Sequence, residues 1–531
     1  PSTNLWVWQK GSNIIDQVGV YGSLGVPSAS ASPGGRIGSV SWVDQSGNFW
    51  LFGGYGLGSL PGYGYLSDLW KFNPGTNQWT WVAGSNVINQ PAQYGTQGVS
   101  SATNIPGART GSKCWVDGSN NVWIFGGIGN TTNTLTVGHL DDLWKYNTSI
   151  NEWVWMKGTN AINQNGLYGT QAAPSPTNNP GARKWPMGWV DLTNGTLWLF
   201  GGEGFDALSP NLGQLNDLWK FDINTNDWVW VNGSNSINQI GNYSTFGVPS
   251  PANRPGARSN AITWLDAANN YWLFSGFGIT TNTITGQLND LWRYDVSLNQ
   301  WTWVKGNNAL NQNGSYGSQG VGAATNIPGA RLGSVNWMDS NNNLWFFGGK
   351  GFPSTGAASE LNDVWKYQNC FISPITMTIS TANQTMCANE TTSLTVIGSS
   401  SYTWSTNGNL SYIVINPSST TTYSVFTSGN NNCIYSASFT QSVLPCTGVE
   451  KNTPEEKVRI FPNPCSDSFF VSYIGNPSDA NLILTDGFGI KKKKKKLSSN
   501  QERIETDLNT GIYFLKIKTV EKELIGKIIV Q

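Results

Sequence analysis

Few residues in this chain have the types and spacing that chemistry needs. Glu203 and Asp206 place two carboxylates on one loop, and glycoside hydrolysis needs such a pair, one as acid and one as nucleophile or base. Solvated loop acids are the plainer reading. His139 is the single histidine among 531 residues, so no site that needs two imidazoles can be built. A Ser-His-Asp triad would have one candidate base. His139 stands where related segments carry Gln214 and Gln287, which predicts an exposed polar position. Lys184-Trp185-Pro186 interrupts a recurring Arg-x-Gly-Ser string, and departures from a pattern are better candidates for a ligand site than the pattern itself. Tyr21, Tyr94, Tyr168, Tyr243 and Tyr316 recur at regular intervals. Aromatic and amide groups suit sugar recognition, although regular recurrence favours a structural role. Hairpins such as Asp339-Ser340-Asn341-Asn342-Asn343 carry calcium-type ligands and read more simply as Asx turns. No metal and no cofactor is expected.

The elements that would position these residues come from an internal repeat. Pro-Gly-Ala-Arg, or Pro-Gly-Gly-Arg, places Arg36, Arg109, Arg183, Arg258 and Arg331 at intervals of 73, 74, 75 and 73. Each is followed by a Trp-x-Asp string such as Trp42-Val43-Asp44, then by Trp-x-Phe-Gly-Gly as in Trp50 to Gly54, with Ser275 for one glycine in the fourth copy. Leu-x-Asp-(Leu/Val)-Trp follows, as in Leu66 to Trp70, and then Trp-x-Trp, as in Trp79-Thr80-Trp81. Alternating apolar and polar residues bounded by Asn, Gly, Asp and Pro predict four short antiparallel strands per copy. Of the 27 tryptophans, 26 lie in these copies, so indoles fill the space between stacked sheets. The repeated Arg and the Asp of Asp-Leu-Trp start strands at the same end. They predict structural ion pairs Arg36–Asp68, Arg109–Asp142, Arg183–Asp217, Arg258–Asp290 and Arg331–Asp363.

Gly-Gly followed by Asp-Leu-Trp-Lys-Tyr and Trp-x-Trp resembles the kelch motif of β-propellers, over residues 1–368. The resemblance implies an all-β, five-bladed kelch-type propeller, or six or seven blades if the chain is N-terminally truncated. The chain opens on a lone Asn4-Leu5-Trp6-Val7-Trp8 strand, and the fifth copy ends at Asp363 to Tyr367 without a Trp-x-Trp. Ring closure by the N-terminal strand is therefore expected, removing open sheet edges. In a propeller the long loops share one face, among them the variable loops 55–65, 128–139, 203–214, 277–287 and 350–360. The kelch propeller is shared with galactose oxidase, a copper radical enzyme whose metal takes more than one histidine, so the single His139 excludes that chemistry.

Two small β-sandwich domains are expected after the propeller. In residues 369–449 tryptophan falls to Trp404, expected in the core, while Ser and Thr rise, with strand-like runs such as Ser393 to Val396 and Thr422 to Val425. These residues resemble Ig-like or PKD-like modules of Bacteroidetes surface proteins. Cys387 with Cys433 and Cys370 with Cys446 is the expected pairing, one of three connectivities open to these four cysteines. Cys114 reads as a small apolar residue on a propeller strand, and Cys465 has no role in this reading. Residues 456–531 begin near Phe461-Pro462-Asn463-Pro464, continue through Gly511-Ile512-Tyr513 and close on a basic-apolar tail. They resemble the type A C-terminal sorting domain of the type IX secretion system. The run Lys491–Lys496 departs from that pattern and reads as a solvated loop or edge.

Charged residues are only 12% of the chain and the formal net charge is zero, which disfavours nucleic acid as a partner. No apolar run is long enough for a transmembrane helix. The expected protein is a secreted or cell-surface binding protein whose propeller face takes a glycan or a protein ligand. A carbohydrate-active enzyme using loop carboxylates and a purely structural surface protein are the alternatives.

Overall fold

The computed structural model describes residues 7–132, 136–368, 376–428, 434–444, 458–473, 477–505, 507–519 and 523–531. The chain divides into two compact units. One comprises residues 1–378 with 397–403 and 425–437, and the other comprises 379–396, 404–424 and 438–531. Both are all-β in many small sheets, and helix is represented by a 3-10 turn at Pro477–Asp479.

The third repeat shows how the sequence builds each sheet of the first unit. Arg183–Lys184 and Met187–Asp191 are one interrupted strand, and both pieces pair antiparallel with Thr196–Gly204. That strand pairs with Gly213–Asp222, which pairs with Asp227–Asn232. Short hairpins join neighbouring strands, and Asn226 takes a left-handed conformation in one of them (φ 63°), as do Asn77, Asn151 and Asn299 at the equivalent positions. Asparagine tolerates that region because its short amide finds local hydrogen bonds. In the other hairpin Asp339 Oδ1 accepts the amides of Asn341 and Asn343, and Oδ2 accepts Trp345 Nε1 at 2.8 Å. These are Asx turns with their carboxylates already committed.

Consecutive sheets stack face to face through indoles. Trp115, Trp123 and Phe125 of the second repeat pack with Leu197, Leu199, Trp219 and Trp228 of the third, and equivalent clusters join each neighbouring pair of repeats. The Gly-Gly pair permits the close approach. Gly126 has φ 64°, and a Cβ there would stand 2.7 Å from Arg183 O, whose carbonyl also accepts Gly127 N at 2.8 Å. Any side chain at Gly126 would push the third repeat away from the second.

The fifth sheet ends on Ser359–Tyr367, and among the described residues no strand follows it at that edge. Its outward face exposes Val335, Trp337 and Val364; the other repeats bury their equivalents of Trp337 and Val364, and three of them bury that of Val335. The N-terminal strand expected to close the ring differs from the structure. Val7 and Trp8 lie in no strand and are exposed, and Asn4 to Trp6 lie outside the described residues. Instead Lys10 Nζ donates to Ala29 O and to Asn77 O, tying this segment to the first repeat. Lys157 makes the equivalent bond to Pro176 O at 3.2 Å.

In the second unit Thr392–Ile397 pairs with Tyr412–Ile415, and Trp404 is buried with its indole donating to Leu410 O. Cys387 is disulfide-bonded, while Cys370, Cys433 and Cys446 lie outside the described residues. Further on, Lys491–Lys496, Asn481–Asp486, Gly511–Lys518 and Glu523–Val530 form one sheet in that order. The lysine run is its edge strand, an arrangement that discourages further strand addition. Lys492 pairs with Asp486 at 3.0 Å and Lys495 with Glu502 at 2.6 Å. Cys465 is buried in this core among Phe469, Leu515 and Val530, which gives it the packing role its sequence position concealed.

Candidate functional site

Each repeat contains the same buried polar tetrad. In the third, Arg183 Nη1 and Nη2 donate to Asp217 Oδ1 and Oδ2 at 2.7 and 2.8 Å. Arg183 Nε reaches Gly181 O, and Nη1 also reaches Gly201 O at 2.9 Å, across the Gly-Gly turn. Asp217 Oδ2 further accepts the Tyr168 hydroxyl at 2.6 Å and Trp219 Nε1 at 2.7 Å. The pairs Arg36–Asp68, Arg109–Asp142, Arg258–Asp290 and Arg331–Asp363 repeat this at 2.6 to 2.7 Å. A buried guanidinium is tolerable only when paired and fully hydrogen-bonded, and here it is.

The tetrads correct the ligand reading of the tyrosines. Tyr21, Tyr94 and Tyr168 are buried, Tyr243 and Tyr316 are half-buried, and all five hydroxyls donate to the tetrad aspartates. Burial and the neighbouring Asp217 raise the Tyr168 phenol well above its ordinary range. Their rings lie edge-on or tilted against the indoles, as Tyr168 does on Trp219 at 4.8 Å. Burial leaves the rings of Tyr21, Tyr94 and Tyr168 out of reach of a sugar.

The carboxylate pair is also corrected. Asp206 is buried, and its oxygens accept the amides of Leu208, Ser209 and Ile237, so it pins its own loop. Glu203 points elsewhere. The antiparallel register sets Lys184 opposite Glu203, and their side chains form an ion pair of 2.9 Å. The two acids therefore do not act on a common centre.

His139 is buried rather than exposed. Its ring meets Phe205 of the next repeat edge-on at 5.9 Å, and its Nε2 lies 4.0 Å from Glu203 Oε1 without a hydrogen-bond partner. Burial, with the Lys184 ammonium beside it, pushes the imidazole down to about 4 against the opposing pull of Glu203. At neutral pH the ring is uncharged.

Trp185 completes this cluster. It occupies the interruption of the first strand, where Gly38, Gly111 and Gly333 have φ of 65 to 68° and Asn260 has 56°. Trp185 holds the same left-handed conformation at φ 48°, which costs a bulky residue on the order of 1–2 kcal/mol. The backbone at this position links neighbouring repeats: Gly111 N donates to Gly38 O, Trp185 N to Gly111 O, Asn260 N to Trp185 O and Gly333 N to Asn260 O. The Trp185 indole leans over Gly111, is 39% exposed, and carries Lys184 Nζ at 4.6 Å from its ring centre. Sequence reading singled out Lys184, Trp185 and Glu203, but His139 joins them only because the second and third repeats stack.

Comparison with known proteins bears on one end of the chain. Residues 459–531 match the secretion system C-terminal sorting domain. This is the tail read by the type IX secretion system, and it marks the chain as a secreted or cell-surface protein. No curated protein matches the chain. Among solved structures, one described as the structure of YjhT is similar at 14% identity, covering 70% of this chain and 86% of that one with a TM-score of 0.38. Among the described residues no helix is long and apolar enough to cross a membrane, and no group of side chains is arranged to hold a metal ion.

Proposed function

We propose that residues 1–368 form a kelch-type β-propeller that binds a glycan or a protein at the cell surface, carried there by the sorting domain. The observation that carries this reading is the division of labour within the repeat. Five copies keep the same Arg-Asp-Tyr-Trp tetrad, while the departures His139 and Trp185 gather with the ion pair of Lys184 and Glu203, two positions that vary in every copy. A fold that needed only to be rigid would have no use for a strained tryptophan there. The apolar outward face of the fifth sheet supports a closed ring, because closure would cover Val335, Trp337 and Val364.

The test is to display the full chain to arrayed polysaccharides and surface proteins. Retention of a ligand that is lost when loop 205–212 is exchanged for the matching loop of the first repeat supports the reading. Failure to retain any glycan or protein would leave a purely structural surface protein. Release of sugar from a polysaccharide, abolished by Glu203→Gln, would replace binding with catalysis.

A further inference from the structure

We infer that Trp185, Lys184, Glu203 and His139 form a saccharide subsite for an uncharged pyranose unit. This deepens the binding reading above and rests on it. The four residues come from two repeats; Trp185 and His139 depart from what other copies carry, whereas the positions of Lys184 and Glu203 hold a different residue in every copy. At the Trp185 position the alternatives are Gly38, Gly111, Asn260 and Gly333, and at the His139 position they include Gln214 and Gln287. The strand register sets Lys184 opposite Glu203: Lys184 Nζ meets Glu203 Oε1 at 2.9 Å and the Trp185 ring at 4.6 Å, and His139 Nε2 of the preceding repeat faces the same Glu203 oxygen.

The chemistry of the cluster selects its ligand. Trp185 rests its pyrrole edge on Gly111, where a Cβ would stand 2.7 Å from Nε1, and the residue as a whole is 39% exposed. A rigid, partly exposed indole suits the CH face of a pyranose. Lys184 and Glu203 cancel each other's charge, and the imidazole is neutral. A charged ligand would have to break the ion pair, while a hydroxylated uncharged one can bond to it intact. The His139 side chain is 9% exposed, and its Nε2 is too far from Glu203 Oε1 for a hydrogen bond. That buried nitrogen has no partner, as is true of Gln214 Oε1 and Gln287 Oε1 at the same position of the next two copies, and here it alone faces an ion pair. A hydroxyl reaching between imidazole and carboxylate would give that nitrogen its partner beside the Lys184-bonded Glu203 oxygen.

The variants for the test are supplied by the repeat itself. Trp185→Gly and His139→Gln install residues that the same positions already carry in other copies, so neither should impair folding. Full-length protein is titrated calorimetrically with cello-, xylo- and manno-oligosaccharides and with oligogalacturonate. The expected result is binding of an uncharged oligosaccharide that weakens at least about tenfold in Trp185→Gly, with no fall in melting temperature, and that also weakens in His139→Gln. Unchanged affinity in Trp185→Gly would overturn the subsite while leaving glycan binding elsewhere on the face. Preference for oligogalacturonate would overturn the charge argument. Binding of no oligosaccharide by the wild type, with a protein ligand retained, would remove the subsite and keep the broader reading.

Discussion

Arg183 and Asp217 meet through two hydrogen bonds of 2.7 and 2.8 Å, with both side chains wholly withdrawn from solvent. Removing one partner strands the other charge in the core. Asp217→Asn is therefore expected to destabilise the first unit by about 3–5 kcal/mol, read as a lower urea midpoint. Asp363 is 16% exposed in the equivalent pair, so Asp363→Asn should cost less because water can reach the freed guanidinium. Equal losses at the two sites would contradict the link between burial and cost.

Trp185 holds its left-handed backbone at the expense of stability. Trp185→Gly should raise stability by about 1 kcal/mol, since glycine adopts that region without a Cβ penalty. Gly111→Ala should lower it, because Gly111 has φ 68° and the added Cβ would meet the Trp185 indole. In the double variant part of that loss should vanish, as the indole is gone and only the backbone term remains. Thermal melts of the four proteins complete the cycle.

Two buried titratable groups set opposite pH trends. His139 is pushed down to about 4, whereas the unfolded ring takes its proton near 6.5. The unfolded chain then binds more protons across that window, so stability falls as pH drops through it. His139→Gln should remove this loss, on the order of 3 kcal/mol, and gain on the wild type at pH 4.5 while matching it at pH 7.5.

Asp141 behaves the other way. Burial, and the adjacent Asp142, push its carboxyl up to about 7 although Thr159 and Asn179 donate to it. The folded chain holds the proton that the unfolded chain releases near 3.8, so stability falls as pH rises between these values. The equivalent positions carry Asn216, Asn289 and Asn362. Asp141→Asn should therefore stabilise more at pH 7.5 than at pH 4.5, in denaturant titrations at the two pH values.

Export depends on the last 73 residues of the chain, 459–531. Their deletion should abolish surface display while the first unit still folds inside the cell. Fractionation with surface proteolysis reads the difference, and undiminished display would contradict the assignment.

The strands and the Arg–Asp pairs were legible in the sequence because five copies state them redundantly. A one-letter departure such as Trp185 was visible for the same reason. Two things were hidden. The Tyr168–Asp217 hydrogen bond spans 49 positions, and nothing local in either segment announces it. His139 reads as exposed because its own segment is polar, and it is Phe205 of the following repeat that covers its ring. Asp206 reads as a loop acid, yet Leu208, Ser209 and Ile237 consume its oxygens through backbone amides, which carry no mark in the sequence. The Lys184–Glu203 pair was within reach, since pairing Arg183 with Gly204 fixes it by register.

The most direct test of the account compares full-length wild type and Trp185→Gly on one glycan array, with melting temperature measured on the same preparations. The account predicts retention of uncharged glycans by the wild type, loss of that retention in the variant, and a melting temperature that holds or rises. A variant that melts lower, or that retains the same glycans as the wild type, would contradict it.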